Sequence, residues 1–409
     1  MTSSRSAPLT GIRALAALAV CLTHAAFWTG RYTDDLEGRF FARFEIGVAI
    51  FFVLSGFLLF QPWVRALRQA QLTGGRRQAS GAQPAAELPS VGRYAWHRFR
   101  RVVPAYWITV IAVYLIFLVR SDPGQTGQGW GSFLRNMTFT QVYGFGHLRT
   151  GLSQMWSMAA EMAFYVVLPL LAWPIAVLVC KRRWRPDLLL LSLGVLALVS
   201  PVWTVVVHGM PTADPTARLW PPAFASWFVG GMVLAVLVEV LRRWNWQVSV
   251  PVAVAAFLVS AGSFAGGPTI IPDDAGQTII KHLLYLVVAL GLIGPLAVGM
   301  RSGAAPDPWQ RFLGARPVVW FGEISYEFFL VHVIVLEFAM GWLGYPIFTG
   351  STALAFLTTV AVATPIAWLL HLLVATPEAR ERARFWRAAT GKLATDGGFV
   401  VPVPRRTRR

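Results

Sequence analysis

The chain is poor in cysteine and poor in charge. Only two cysteines occur among its 409 residues, Cys21 and Cys180, and they lie in or beside apolar segments far apart in sequence. That excludes a disulfide framework and the ligand spacing of a structural zinc site. Charged residues make up 13% of the chain and hydrophobic residues 56%. A soluble globular domain carries roughly 25% charged residues. This composition therefore excludes a soluble globular domain and indicates a membrane protein.

Long apolar segments occupy most of the chain. Each could cross a hydrocarbon core about 30 Å thick as a helix, with some tilt. They lie at 12–28, 46–64, 102–119, 152–179, 187–207, 219–241, 248–266, 279–299, 317–340 and 351–375. The seventh is the weakest because three glycines, Gly262, Gly266 and Gly267, lie at and just beyond its end. The fourth holds two prolines that predict a kink. The sequence therefore predicts an all-α, polytopic membrane helical bundle of about ten transmembrane helices.

The basic residues are divided unequally between the connecting segments. If the N-terminus is cytoplasmic, all but eight of the 36 lysines and arginines face the cytoplasm, as the positive-inside rule requires. Both termini are then cytoplasmic, in a multi-pass protein of the cell (plasma or inner) membrane. The net charge of +17 becomes an orientation signal and an attraction to membrane lipids, which excludes nucleic acid as a partner. Residues 1–375 are predicted to form one transmembrane domain with a flexible cytoplasmic loop at 65–95, and 376–409 a basic cytoplasmic tail.

Two ionisable side chains lie deep in predicted spans. His24 follows Arg13 by eleven residues, which is roughly 16 Å along a helix. Glu161 lies at a comparable depth in the fourth span. Ionisable groups at such depth are costly and therefore indicate a functional site. A carboxylate beside a histidine would form an acid/base pair. The alternatives are a satisfied core histidine or the end of a signal peptide for His24, and a structural ion pair between helices for Glu161.

Smaller polar signals accompany these two residues. Arg98 and Arg101 share a helix face before the third span, where they could bind phosphates or act only as a positive-inside anchor. The Ser55-Gly56 step predicts a close approach of two helices rather than a catalytic serine, because no strand-to-helix elbow surrounds it. The ninth span carries polar side chains that could bridge helices or line a cavity: Ser325, Tyr326 and His332.

Taken in order, these blocks resemble the acyltransferase 3 family of integral membrane acyltransferases. The matching residues are Gly11-Ile12-Arg13 with His24, Phe51 through Leu58, Arg98-x-x-Arg101-x-x-Pro104-x-Tyr106, Trp156-Ser157, Glu161 with Phe164-Tyr165 and Pro169, Gly322, Ile324-Ser325-Tyr326, and Leu330-x-His332. The resemblance implies transfer of a short acyl group, often acetyl, from acyl-coenzyme A. The implied acceptor is a hydroxyl of an envelope carbohydrate or glycolipid, and neither a metal nor a permanently bound cofactor is needed.

The resemblance also implies roles for individual residues. His24 would be the general base, or would briefly carry the acyl group, with Glu161 supporting its charge. Arg98 and Arg101 would bind the phosphates of acyl-coenzyme A. A supporting set completes the implied site: Arg13, Ser55, Trp156, Ser157, Tyr165, Ser325, Tyr326 and His332.

Two alternatives remain open on the sequence. One is acylation of a secreted small molecule, such as a macrolide sugar. The other is a transporter or flippase, since intramembrane acids and histidines suit that role too, although the inverted repeat of many transporters is not visible. The patterns specify neither the acyl chain length, the acceptor nor the oligomeric state.

Overall fold

The computed structural model describes residues 7–76, 86–120, 124–210, 214–269, 274–299 and 305–374. Within these ranges the regular structure is entirely helical. The helices are α1 (Ala7–Trp28), α2 (Leu36–Ala42), α3 (Ile46–Arg76), α4 (Val91–Val119), α5 (Gly129–Met137), α6 (Trp156–Pro174), α7 (Pro186–Ala197), α8 (Val199–Gly209), α9 (Ala225–Val240), α10 (Trp246–Ser260), α11 (Ala275–Gly299), α12 (Pro308–Leu313), α13 (Arg316–Trp342) and α14 (Thr352–Val374).

The predicted membrane bundle is confirmed. In the part of the chain that the structure describes, nine helical segments are long and apolar enough to cross a membrane. The seventh predicted span, 248–266, corresponds to α10, which has only 15 residues and is not one of the nine. It is short because the glycine-containing segment after Ser260 leaves the helix, with Gly266 at φ 86, a conformation that costs glycine little.

Two of the predicted spans are interrupted. The fourth continues beyond Pro174 as a turn of π-helix at Ile175–Val179, in which the Cys180 amide donates to the Ile175 carbonyl at 2.9 Å. The fifth is divided at Leu198 into α7 and α8. Both interruptions lie within apolar sequence, so hydropathy alone reads each span as continuous.

The predicted cytoplasmic loop at 65–95 is shorter in the structure, because helices occupy both of its ends. Helix α3 extends to Arg76, and Leu67 near its far end is still buried. Helix α4 begins at Val91, where the Ser90 side chain accepts a hydrogen bond from the Arg93 amide at 3.5 Å, the usual role of a serine at a helix start. Residues 77–85 of that loop and the predicted basic tail lie outside the described residues.

Helices α3 and α9 approach each other through a pair of glycines. A Cβ atom added to Gly56 would overlap the carbonyl oxygen of Phe228, and one added to Gly231 would overlap that of Val53. Small residues at such a crossing let two backbones touch inside a membrane. The close approach predicted for the Ser55-Gly56 step is therefore confirmed, and it fixes the rotation of α3 and the direction of its Ser55 side chain.

The connection between α1 and α3 is tied to the end of α10. Arg43 is buried and donates to the Ser260 carbonyl at 2.6 Å, to the Ala265 carbonyl at 3.2 Å and to the Gly266 carbonyl. Asp35 caps α2 by accepting from the Gly38 amide at 2.7 Å. That hydrogen bond, followed by one from Thr33, lowers the pKa of the Asp35 carboxyl below its ordinary value. These contacts organise the end of the bundle at which α1 finishes.

Candidate active site

A cleft rich in arginine opens between α1, α3, α4, α6 and α13. It contains about 760 Å³ of space, and we call it the arginine cleft. The structure brings nine of the residues singled out from the sequence to its wall: Arg13, Ser55, Arg98, Arg101, Ser157, Glu161, Tyr165, Ser325 and Tyr326. These residues come from five separate helices, so only the folded bundle creates the site.

Glu161 is held in the arginine cleft by two hydroxyl groups. Ser55 on α3 donates to its Oε1 atom at 2.5 Å, and Tyr165, one turn further along α6, donates to the same atom at 2.7 Å. The Tyr94 hydroxyl donates to the Tyr165 carbonyl at 3.1 Å and supports that turn. Sequence reasoning did not select Tyr94, and it carries no pattern that would have marked it.

The charge of this cleft is predominantly positive. Three guanidinium groups, those of Arg13, Arg98 and Arg101, share it with the single carboxylate of Glu161. The Nε atom of Arg98 is buried and has no hydrogen-bond partner in the described residues. A buried donor without an acceptor is costly, and a guanidinium group binds phosphate or carboxylate oxygens especially well. The arrangement therefore suits an anionic ligand.

A pair of histidines lies directly behind the cleft wall. His24 Nδ1 is 3.0 Å from His332 Nε2, and His332 is completely buried. His332 Nδ1 in turn is 2.8 Å from the carbonyl oxygen of Phe329, a residue of the cleft wall. The pair joins α1 to α13 and stands one helical turn from the arginine cleft.

With both rings neutral, these hydrogen bonds determine the tautomers of His24 and His332. A carbonyl oxygen can only accept, so His332 Nδ1 carries a proton and donates it. The Nε2 atom of neutral His332 then accepts, which requires a proton on His24 Nδ1. The lone pair of His24 is consequently on Nε2. That nitrogen is the one available to remove a proton from a substrate.

The pairing predicted for His24 differs from the one observed. The sequence analysis expected Glu161 beside this histidine, whereas Glu161 is hydrogen-bonded to Ser55 and Tyr165, and His24 to His332. The reason is the rotation of the helices: α1 turns the face with His24 towards α13, and α6 turns Glu161 towards α3. Trp156 also lies away from the cleft wall, with its ring against Phe224 at a centroid distance of 4.9 Å.

The described residues contain no group of three or more histidine, cysteine, aspartate or glutamate side chains that could hold a metal ion. The side chains on hand are arginines for an anion, an oriented imidazole for proton transfer, and a carboxylate held by hydroxyls.

Comparison with known protein families gives a match over nearly the whole chain. A family model described as an acyltransferase domain, acyltransferase 3, matches residues 8–372. The chain is thus a multi-pass membrane enzyme of acyl transfer, and it belongs to the acyltransferase 3 family.

Several curated proteins are similar to this chain. It is 26% identical to acyltransferase MdmB of Streptomyces mycarofaciens, over 90% of both chains. It is 30% identical to the peptidoglycan O-acetyltransferase OatA of Listeria monocytogenes, over 89% of this chain and 52% of that protein. For O-acetyltransferase OatA of Staphylococcus aureus the identity is 21%, over 83% of this chain and 52% of that protein. The chain spans about half the length of the two OatA proteins. No solved structure matches the chain.

Proposed function

We propose that this enzyme transfers a short acyl group, acetyl in the first instance, from acyl-coenzyme A to a hydroxyl of an envelope carbohydrate or glycolipid. The observation that carries the proposal is the arginine cleft, in which Arg98 Nε is buried without a partner. The relatives whose names specify O-acetyl transfer, one of them to peptidoglycan, support the acetyl group and a wall carbohydrate.

The donor fits the arginine cleft by charge and by shape. Arg13, Arg98 and Arg101 would neutralise the phosphates of coenzyme A, because paired guanidinium groups bind phosphate oxygens bidentately. The apolar part of the wall, with Phe51 and Phe329, would contact the pantetheine arm and the acyl chain. The thioester would then lie beside Phe329, next to the histidine pair.

The transfer itself needs one base and no redox step. The acceptor hydroxyl oxygen attacks the thioester carbonyl carbon while His24 Nε2 removes the hydroxyl proton. The tetrahedral intermediate collapses with cleavage of the carbon–sulfur bond, and the protonated ring returns the proton to the leaving thiolate. The products are the acylated acceptor and free coenzyme A. His332 accepts the Nδ1 proton of His24 in a hydrogen bond throughout, which keeps the reactive nitrogen oriented.

The experiment that tests the function compares cells with and without the protein. Mass spectrometry of envelope glycans and lipids should reveal the loss of one acyl mass from a defined carbohydrate species when the gene is removed, and its return on complementation. The same comparison on secreted small molecules examines the alternative acceptor. An unchanged acyl profile in both fractions would contradict the proposal.

Removing the two paired arginines should weaken donor binding. A hydrogen bond to a charged group contributes about 1.5–3 kcal/mol, so Arg98→Ala and Arg101→Ala should each reduce acyl-coenzyme A affinity by about 10- to 100-fold. Arg98→Lys should fall between wild type and alanine, because it keeps charge but loses the bidentate geometry. Direct binding of radiolabelled acetyl-coenzyme A to purified protein measures this. Arg100→Ala is the matched control, since Arg100 is exposed and not part of the cleft wall; equal losses in all three variants would point to general surface charge instead.

Replacing His332 should reduce turnover without affecting substrate binding. In His332→Ala the Nδ1 proton of His24 loses its acceptor, so the reactive tautomer is no longer fixed. Loss of the partner that orients a metal-ligating histidine typically costs about 10- to 100-fold in activity, and we take the same range for this pair. We expect kcat to fall by that factor with unchanged KM for the donor. His332→Gln should restore much of the rate, since its amide oxygen can accept the same proton; a purely structural role would leave Gln and Ala alike.

A further inference from the structure

A second cleft is present at the opposite end of α1 from Arg13. It contains about 1020 Å³ of space and shares no wall residue with the arginine cleft. We call it the polar cleft. Its wall is formed by the turn after α1, the segment that follows α10 and the first turns of α11, and includes Tyr32, Asp34, Thr269, Gln277, Thr278 and Lys281.

We propose that the polar cleft binds the acceptor of the reaction and that it selects an uncharged, polyhydroxylated group, such as a neutral sugar. This inference rests on the acyltransferase function proposed above. Thr269 and Gln277 carry both donors and acceptors, as a sugar hydroxyl requires. The hydroxyl oxygens of Tyr32 and Thr278, which are already bonded to Thr23 and to the Asp274 carbonyl, add acceptors. Gly266 and Gly267 line the same wall and have no side chains to fill it.

The charges of the polar cleft argue against an anionic ligand. Lys281 Nζ is bound to Glu45 Oε1 at 2.9 Å, and the Tyr285 hydroxyl donates to the same oxygen at 3.1 Å. The lysine charge is therefore already compensated. Asp34, whose side chain is 86% exposed, is likewise paired with Arg39 at 3.0 Å. The arginine cleft has three guanidinium groups for one carboxylate, whereas the charges of the polar cleft are balanced, so the two clefts suit different substrates.

A short hydrogen bond joins the polar cleft to the turn of α1 that carries the candidate base. The Tyr32 hydroxyl is 2.6 Å from Thr23 Oγ1, and Thr23 immediately precedes His24 on α1. Thr23 Oγ1 also donates to the Phe41 carbonyl oxygen at 3.1 Å, so this turn of α1 is fixed to the end of α2. The donor in the arginine cleft and the acceptor in the polar cleft then meet at His24 from opposite ends of α1.

The test fills the polar cleft at a position that tolerates a side chain. A Cβ on Gly267 would lie 3.7 Å from both Asp34 Oδ1 and Thr269 Cγ2, which is ordinary van der Waals contact. Gly267→Phe therefore places a ring between the walls without a backbone clash. The matched control is Gly341→Phe, because Gly341 is exposed near the end of α13 and has no atom within 4 Å of an added Cβ.

Transfer from radiolabelled acetyl-coenzyme A is measured with two tetrasaccharides of similar size, neutral chitotetraose and the anionic tetrasaccharide of hyaluronan. The unaltered protein should use chitotetraose at least tenfold more efficiently. Gly267→Phe should raise the chitotetraose KM at least tenfold and leave acetyl-coenzyme A binding within twofold of wild type. Gly341→Phe should change neither quantity. Preference for the anionic sugar, or an unchanged KM in Gly267→Phe, would overturn the assignment. Failure of the unaltered protein to bind acetyl-coenzyme A would instead count against the proposed function.

Discussion

Substituting His24 with asparagine should abolish acyl transfer while the protein still folds and binds its donor. General acid/base catalysis contributes about 10²- to 10⁴-fold to a rate, and the proposed mechanism has no other base at this point. Asparagine preserves the contact with His332, because its side-chain amide can donate to His332 Nε2 as His24 Nδ1 does at 3.0 Å. It lacks a basic nitrogen at the position of Nε2. His24→Ala should be equally inactive. Because only His24→Asn keeps the contact with His332, its inactivity reports loss of the base and not loss of packing.

Three measurements decide this prediction. Initial rates of acetyl transfer give the catalytic loss, binding of radiolabelled acetyl-coenzyme A reports the arginine cleft, and quantitative blotting of the membrane fraction reports protein level. Only the first should change, because His24 is not part of the arginine cleft wall. Near-normal turnover by His24→Asn would remove His24 as the base and, with it, the proposed proton path.

Alanine at Gly56 should have the second large effect, on folding rather than on chemistry. Within an ordinary helix, replacing glycine by alanine stabilises by roughly 0.5–1 kcal/mol. At Gly56 the added Cβ would overlap the Phe228 carbonyl oxygen, so α3 and α9 must separate. Overpacking of a tight core typically costs about 1–3 kcal/mol and sometimes more, and here the obstruction is backbone, which cannot change rotamer. We expect most of the protein to be lost from the membrane or to aggregate on solubilisation.

Gly194→Ala is the control for this prediction. Gly194 is exposed on α7, and an added Cβ there meets no atom within 4 Å. This variant should therefore match or exceed wild type in thermal stability, giving opposite signs for one chemical change at two positions. Size-exclusion profiles of detergent-solubilised protein and thermal unfolding temperatures supply the comparison. A well-folded Gly56→Ala protein would mean that α3 and α9 are not in direct backbone contact.

Several parts of the site could be read from the sequence because the signal was local. Arg98 and Arg101 are three positions apart, so any helix brings them to one face, and both line the arginine cleft. The Ser55-Gly56 step indicated a close approach of two helices, because two small residues in a bulky run are also a local signal. His24 and Glu161 were recognisable as costly groups at depth, since hydrocarbon tolerates few ionisable side chains.

The partners of those residues could not be read in the same way. His24 meets His332 across 308 positions of sequence, and Ser55 meets Glu161 across 106. In a soluble helix the polar face marks the outside and thereby the rotation. In these spans the lipid-facing and protein-facing sides are both apolar, so the sequence did not indicate which way His24 or Glu161 would turn.

The sequence by itself determined the number and length of the apolar segments, the identity of the ionisable residues within them and the family to which they belong. It could do so because burial in hydrocarbon and helical periodicity act along the chain. Only the tertiary structure decided which side chains meet: the tautomer-setting contact of His332, the hydroxyls on Glu161, and the separation of an arginine cleft from a polar cleft. Those depend on how each helix is rotated, and that rotation is set by backbone contacts such as that of Gly56 with Phe228.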